Sequence, residues 1–180
     1  MSSKSFATPS ARTEVPLLIA FVDLSRFASG SRKRSDSQVA DMLDGFYARV
    51  GEQVAESGGK VVKFIGDAAL VVFPEDLADE GVRALLALKQ RVDQWLDAGG
   101  WDSSLIVKAH FGTAIAGDFG PAGDKRFDVI GSSVNQAALL ESTGIALSAA
   151  AFRKLSADTR TLFKKHTPPI TYIPVDARRP

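Results

Sequence analysis

The stretch Lys60-Val-Val-Lys63-Phe-Ile-Gly66-Asp67-Ala-Ala-Leu-Val-Val-Phe73 constrains the fold of this chain most. Two apolar runs, Val61 to Ile65 and Ala68 to Phe73, flank Gly66-Asp67, a dipeptide suited to a hairpin turn. Aspartate is depleted inside strands, so Asp67 belongs at the turn with its carboxylate near the end of the hairpin. A second carboxylate, Asp23, ends the apolar run that begins at Leu17. If the two runs are sheet neighbours, the acids meet at one edge and form a seat for Mg²⁺, which takes one or two carboxylates and completes its shell with phosphate and water. On these residues alone a second reading stays open: two turn or cap aspartates that never meet.

The remaining elements follow from periodicity. Met1 to Glu14 is rich in Ser, Thr, Ala and charge without a period and reads as a disordered arm, which leaves residues 15–180 as one domain. Val15 to Val22 is a continuous apolar run, as in a central strand covered on both faces. The polar connection after Asp23 carries Arg32-Lys33-Arg34, a solvated loop or, beside a phosphate site, a set of phosphate contacts. Ser35 or Asp36 caps a helix on which Val39, Met42, Leu43, Phe46, Tyr47, Val50 and Val54 recur at three- and four-residue steps, and Ser57-Gly58-Gly59 ends it. Asp76 is the expected cap of a second amphipathic helix, stopped by Gly99-Gly100. Leu105 to Phe111 and Thr113 to Ala116 read as two strands joined near Gly112, and Phe127 to Ile130 as a short strand. Gly131 to Glu141 reads as a helix, residues 149–163 as a smaller helical stretch, and Ile170 to Val175 as a last strand. Strand, helix, two strands, helix, strand is the ferredoxin-like (βαββαβ) plan, an α+β fold with a mostly antiparallel sheet and helices on one face, here with extra C-terminal elements. That plan hosts many functions, so function has to come from the site.

Composition narrows the classes. An apolar share of 45% and a charged share of 24% are those of a soluble globular protein, and a net charge of +1 argues against a surface that coats nucleic acid. A nucleic-acid-binding sheet of this plan would also need exposed aromatics in one strand and a basic face, and neither is visible. The absence of cysteine rules out disulfides and thiolate metal sites. No apolar run approaches the roughly 18–20 residues of a membrane span, and the N-terminus lacks the apolar region of a signal peptide, so a cytoplasmic location is expected.

Four fragments in order carry a resemblance. Phe21-Val-Asp23-Leu-Ser-Arg-Phe27, then Val62-Lys63-Phe-Ile-Gly66-Asp67, then His110-Phe-Gly112 with Ala116-Gly117, then Arg126-Phe-Asp128-Val-Ile-Gly131-Ser-Ser-Val134-Asn135 together resemble the class III adenylate/guanylate cyclase catalytic domain, from about Leu17 to Ser148. The resemblance implies that Asp23 and Asp67 are the metal-binding aspartates, with a carbonyl ligand from Leu24, for two Mg²⁺ or Mn²⁺ per site. It implies that Lys63 and Asp128 read the purine, in the adenine-type combination: a lysine donates to adenine N1 and a carboxylate accepts from the exocyclic amine. Asn135 matches the asparagine that orients the ribose, and Phe27 an apolar residue of the loop near the triphosphate. The substrate implied is ATP, converted to cyclic AMP and pyrophosphate in a head-to-tail homodimer whose two sites each draw on both chains. Which regulatory domain or sensor partner acts on it is left open.

The departures from that pattern matter equally. Four residues after Asn135 the family has an arginine that meets charge on the α-phosphate; here the position is Leu139. Loss of one such donor typically costs about 10²–10³ in rate. A Lys-Gly turn before the last strand is also absent, with Lys164 or Lys165, or Arg32 to Arg34, as stand-ins. One reading of Leu139 is simple core packing on its helix, and its presence leaves open a second function: a catalytically impaired module that binds nucleotide or dimerises in signalling. A structural role is expected for His110, and packing roles for Trp95 and Trp101. Gly58-Gly59-Lys60 does not match a diguanylate cyclase signature.

Overall fold

Side-chain alternation along the first apolar run sets the architecture. Leu18, Ala20, Val22 and Leu24 pack into one apolar cluster, while Leu17, Ile19 and Phe21 pack into a second. Successive residues of a strand point to opposite faces, so this strand is sandwiched between two layers. The computed structural model describes residues 6, 8–9, 11–167 and 169–177. The strand is β1 (Thr13–Leu24). Residues 1–5, 7 and 10 of the expected arm lie outside the described residues. Its last residues, Thr13 and Glu14, do not belong to an arm: they pair with Ala116 and Ile115 and begin β1.

After β1 come α1 (Phe27–Ser31), α2 (Asp36–Glu56), β2 (Lys60–Ile65) and β3 (Ala68–Pro74). The chain then runs through a 3₁₀ turn at Glu75–Leu77, α3 (Ala78–Ala98), β4 (Leu105–Phe119), β5 (Arg126–Ile130) and α4 (Ser132–Ala138). The last elements are β6 (Ile145–Ser148), α5 (Ala149–Arg153), α6 (Ala157–Arg160), β7 (Phe163–His166) and β8 (Thr171–Pro174). The sheet order is β2-β3-β1-β4-β6-β8-β7, with β5 paired to β4. The first four strands in that order are the α+β, ferredoxin-like core, and the others are the C-terminal additions. Most pairs are antiparallel; β4 and β6 are parallel. Among the described residues no helix is long and apolar enough to cross a membrane.

Several local expectations are corrected. Helices cover both faces, not one: α2 and α3 bury Phe46, Val50, Val82, Leu85 and Leu88 against the first face, and α4 buries Ala137 against the second. Residues 105–119 form one strand, because Gly112 is small for packing and does not break the strand. A Cβ there would stand 2.3 Å from the Ser133 hydroxyl, so glycine is what lets α4 sit down on β4. The stretch 149–163 holds two short helices and the start of β7, and β6 before it escaped notice because four buried residues carry no readable period. The helix after Gly131 stops at Ala138, not Glu141. Ser35 caps α2 as expected, reciprocally with Gln38. Asp76, in contrast, lies in the 3₁₀ turn, and Leu77, without a side-chain bond, occupies the cap of α3.

Asp79 in the first turn of α3 ties the C-terminal additions to the core. Its carboxylate accepts from Ser156 N at 2.8 Å, Thr159 Oγ1 at 2.9 Å, and Ser156 Oγ and Arg83 Nε at 3.2 Å. Burial pushes this carboxyl up, but the bonds from the Ser156 backbone, Thr159, Arg83 and the Ser156 hydroxyl outweigh it and leave the group below its ordinary value. A depressed carboxyl contributes stability above the unfolded value of about 3.9 and loses it as pH falls through the folded value. Asp79→Ala is therefore expected to destabilise the domain by about 1–3 kcal/mol at pH 7. Thermal unfolding of both chains should show that gap narrow below about pH 4; a gap independent of pH would assign the loss to packing instead.

Candidate active site

The register of β1 against β3 sets Asp23 opposite Ala68, one residue past the hairpin turn. Leu24 N donates to Asp67 O at 3.1 Å, which fastens the turn to the end of β1. The two acids therefore stand on neighbouring strand ends, and the reading in which they never meet is overturned. Gly66 takes φ +62°, a left-handed conformation that favours glycine. Its carbonyl accepts from the Tyr47 hydroxyl of α2 at 2.6 Å, and the Tyr47 ring stacks on Phe64 with centroids 4.1 Å apart. The turn is thus gripped from β1 and from α2. Sequence reasoning had Tyr47 only as a core residue, since its helical phase says nothing about a hydroxyl at the rim.

Asp23 is half-buried, and burial raises its carboxyl above the ordinary value; the charge of Asp67 adds to the rise, while the Leu24 backbone bond and the Lys108 charge oppose it. Among the described residues no third His, Cys, Asp or Glu joins the pair into a larger metal-binding group. Two neighbouring hard oxygen donors fit a hard divalent cation that draws the rest of its shell from phosphate, water and backbone carbonyl. They do not fit a structural zinc site, which is closed by four nitrogen or sulfur-rich ligands.

The second group lies on the same sheet face. Lys63 pairs with Leu70 of the second cluster, and β5 folds back to reach it: Lys63 Nζ donates to Asp128 Oδ2 at 2.7 Å. Asp128 is steadied by Val129 N donating to its other oxygen at 2.8 Å, and Lys60 Nζ lies 5.2 Å from the centre of the Phe127 ring. A donor and an acceptor are thereby held side by side at the surface. Gly131 leads from β5 into α4, where Ser133 Oγ donates to Thr113 O at 2.8 Å and Asn135 stands exposed. Leu139 follows the last turn of α4 and is 80% exposed, which rules out core packing as the reading of this residue. Beside it Lys108 of β4 donates to Ala138 O at 3.3 Å.

The remaining candidates are dispersed. Phe27 opens α1 and stacks on Trp101 at 6.5 Å, after Arg26 in the left-handed region at φ 54°. Arg34 is spent on the same tryptophan, 3.9 Å above its ring, and on Gly100 O at 2.7 Å; Arg32 and Lys33 are exposed. Lys164 donates to Val175 O and Ala177 O at 2.8 and 2.9 Å, and Lys165 shares its strand at the sheet edge farthest from β2. His110 is buried with Nδ1 2.9 Å from Ser148 Oγ, and burial lowers its pKa, as suits a structural histidine.

Comparison with known proteins gives the family and the fold. Residues 11–167 match the family model described as the adenylate and guanylate cyclase catalytic domain. An adenylate cyclase of Anabaena cylindrica is 26% identical over 133 residues, covering 69% of this chain and 26% of that protein. An uncharacterized protein of Mycobacterium tuberculosis is 36% identical over 147 residues, covering 78% of this chain and 34% of that one. The chain thus spans about a quarter to a third of the length of these relatives. Among solved structures, the adenylyl cyclase CyaB from P. aeruginosa superposes with a TM-score of 0.79 at 20% identity, covering 94% of this chain and 98% of that one. The guanylyl cyclase Cya2 superposes with a TM-score of 0.77 at 20% identity, covering 89% and 91%. At that identity they show the fold, and one is a guanylyl cyclase while the other is an adenylyl cyclase.

Proposed function

The chain belongs to the adenylate/guanylate cyclase catalytic domain family, and from that premise we propose that it is an adenylate cyclase acting as a head-to-tail homodimer. The observation that carries the choice of adenine is the Lys63–Asp128 pair at 2.7 Å. Lys63 offers a donor to adenine N1 and Asp128 an acceptor to the exocyclic amine. Guanine presents O6 and an N1–H instead, which would leave both groups mismatched, and a site built to hydrogen-bond one base discriminates against the other.

In this reading Asp23, Asp67 and the Leu24 carbonyl hold two Mg²⁺ or Mn²⁺. The chemistry supplied by such cations is neutralisation of the triphosphate and acidification of the ribose 3′-hydroxyl. Asn135 orients the ribose so that the 3′-oxygen lies in line with the α-phosphorus. The 3′-oxygen–phosphorus bond forms, the bond from that phosphorus to the bridging oxygen breaks, pyrophosphate leaves with the electron pair, and the hydroxyl proton passes to solvent. Positioning supplies most of the rate in such a step. The exposed Phe64, Ile65, Ile115, Ile130 and Leu139 suit an apolar contact between chains.

A second reading, a domain that binds nucleotide without turnover, is favoured by Leu139 at the position where the family has arginine. One assay separates them: product formation from ATP and from GTP, with Mn²⁺ or Mg²⁺, at high protein concentration. Cyclic AMP from ATP, with GTP at least about 10²-fold poorer, is the expected result. Equal use of GTP would overturn the adenine assignment; ATP binding without product would establish the second reading.

A further inference from the structure

We propose that Lys108 is the cation that meets the nucleotide phosphates in the site served by Asn135 of the same chain, in place of a side chain at position 139. The inference rests on the nucleotide-cyclising reading above and adds to it a residue that neither the family motifs nor the sequence pattern points to.

The topology brings Lys108 there. Alternation along β4 puts Val107 and Ala109 into the first cluster, so Lys108 projects from the second face, the face of Leu17, Ile19 and α4. It is half-buried, and its ammonium reaches the last carbonyl of α4, Ala138 O, at 3.3 Å, one residue before the exposed Leu139. A positive charge therefore stands beside the end of α4, where the next residue along the chain is a leucine. A cavity of about 720 Å³ opens at this point, lined by Lys108, Leu139, Glu141, Lys89, His166 and Thr171. That volume is within the usual range for a small-ligand site.

The other cations of the region are committed. Lys63 holds Asp128, Lys89 holds Asp93 and Leu105 O, Lys154 holds Glu75, and Lys164 holds two backbone carbonyls. Lys108 has no carboxylate within ion-pair distance among the described residues, and its single carbonyl contact is long. An ammonium with no carboxylate partner is available to an anion that arrives with the substrate. An ammonium is a compact point charge suited to phosphate, though it lacks the two-pronged geometry of a guanidinium.

The test uses the full chain and the variants Lys108→Gln, Lys108→Arg and Lys108→Gln with Leu139→Arg. Turnover of ATP is measured beside calorimetric binding of 3′-deoxyATP with Mn²⁺, a probe that lacks the attacking hydroxyl. Lys108→Gln should lower kcat by about 10²-fold and weaken 3′-deoxyATP by a smaller factor, with an unchanged melting temperature. Lys108→Arg should keep most of the rate, and Leu139→Arg should restore at least about tenfold to the Lys108→Gln chain. If the parent chain binds 3′-deoxyATP but turns nothing over, a roughly tenfold loss of binding in Lys108→Gln supports the phosphate contact. A Lys108→Gln chain that matches the parent in both rate and binding overturns the role of Lys108 alone. A parent chain that neither binds 3′-deoxyATP nor forms product overturns the nucleotide reading, and this role with it.

Discussion

Asp67→Asn is expected to lower cyclic-nucleotide formation by about 10³-fold while leaving the domain folded. The fold is insensitive to this change because the contacts that hold the turn belong to the backbone: Leu24 N donates to Asp67 O, and the Tyr47 hydroxyl donates to Gly66 O. Asparagine keeps both and tolerates the turn. What it removes is one of two negative oxygens facing the proposed cation seat. Asp23 supplies an independent check. Burial first and Asp67 second raise its carboxyl, and a raised carboxyl adds stability only below its unfolded value, losing it as pH rises through the folded one. At neutral pH the pair therefore weighs against folding, and Asp67→Asn should melt no lower than the parent at pH 7. A variant that folds and retains more than about a tenth of the parental rate would remove Asp67 from the site.

How much of this could be read from the chain depends on whether the signal was local. The hairpin at residues 60–73 was legible, since alternation and a Gly-Asp turn are local features, and the meeting of Asp23 with Asp67 followed once their strands were taken as neighbours. The capping of α2 by Ser35 was legible for the same reason. Gly112 misled because a glycine inside an apolar run marks either a break or a close approach, and only the docking of Ser133 at that spot decides between them. Leu139 misled because helical phase predicts burial only while the helix lasts, and α4 ends at Ala138. Lys108 gave no signal: one lysine among the apolar residues of β4 looks ordinary until α4 is laid across the strand. Tyr47 is a similar case, where the ring was predictable from its period and the hydroxyl's partner was not. The features that escaped are therefore contacts between elements distant in sequence, which no pattern along a single element records.

The second large effect concerns how the two halves of the site are distributed. The acids lie at the ends of β1 and β3, whereas the Lys63–Asp128 pair and Asn135 lie on β2, β5 and α4 of the same chain. If the proposed head-to-tail dimer is correct, one chain's acids work with the other chain's base readers, and closed two-fold pairing yields two equivalent sites. Asp67→Asn and Asn135→Ala chains should each be nearly inactive alone, the latter by about 10²-fold through lost ribose positioning. Co-expressed in equal amounts, half of the dimers pair one chain of each kind. In such a dimer one site collects both defects and the other collects neither, so about a quarter of the parental activity should return. In this reading the exposed apolar residues Ile65, Ile115 and Ile130 form the shared surface, and an Ile130→Asp change in both chains should abolish the recovery. No recovery from chains that demonstrably associate would mean that each site is completed within a single chain, and that Lys63, Asp128 and Asn135 serve the same acids they are linked to.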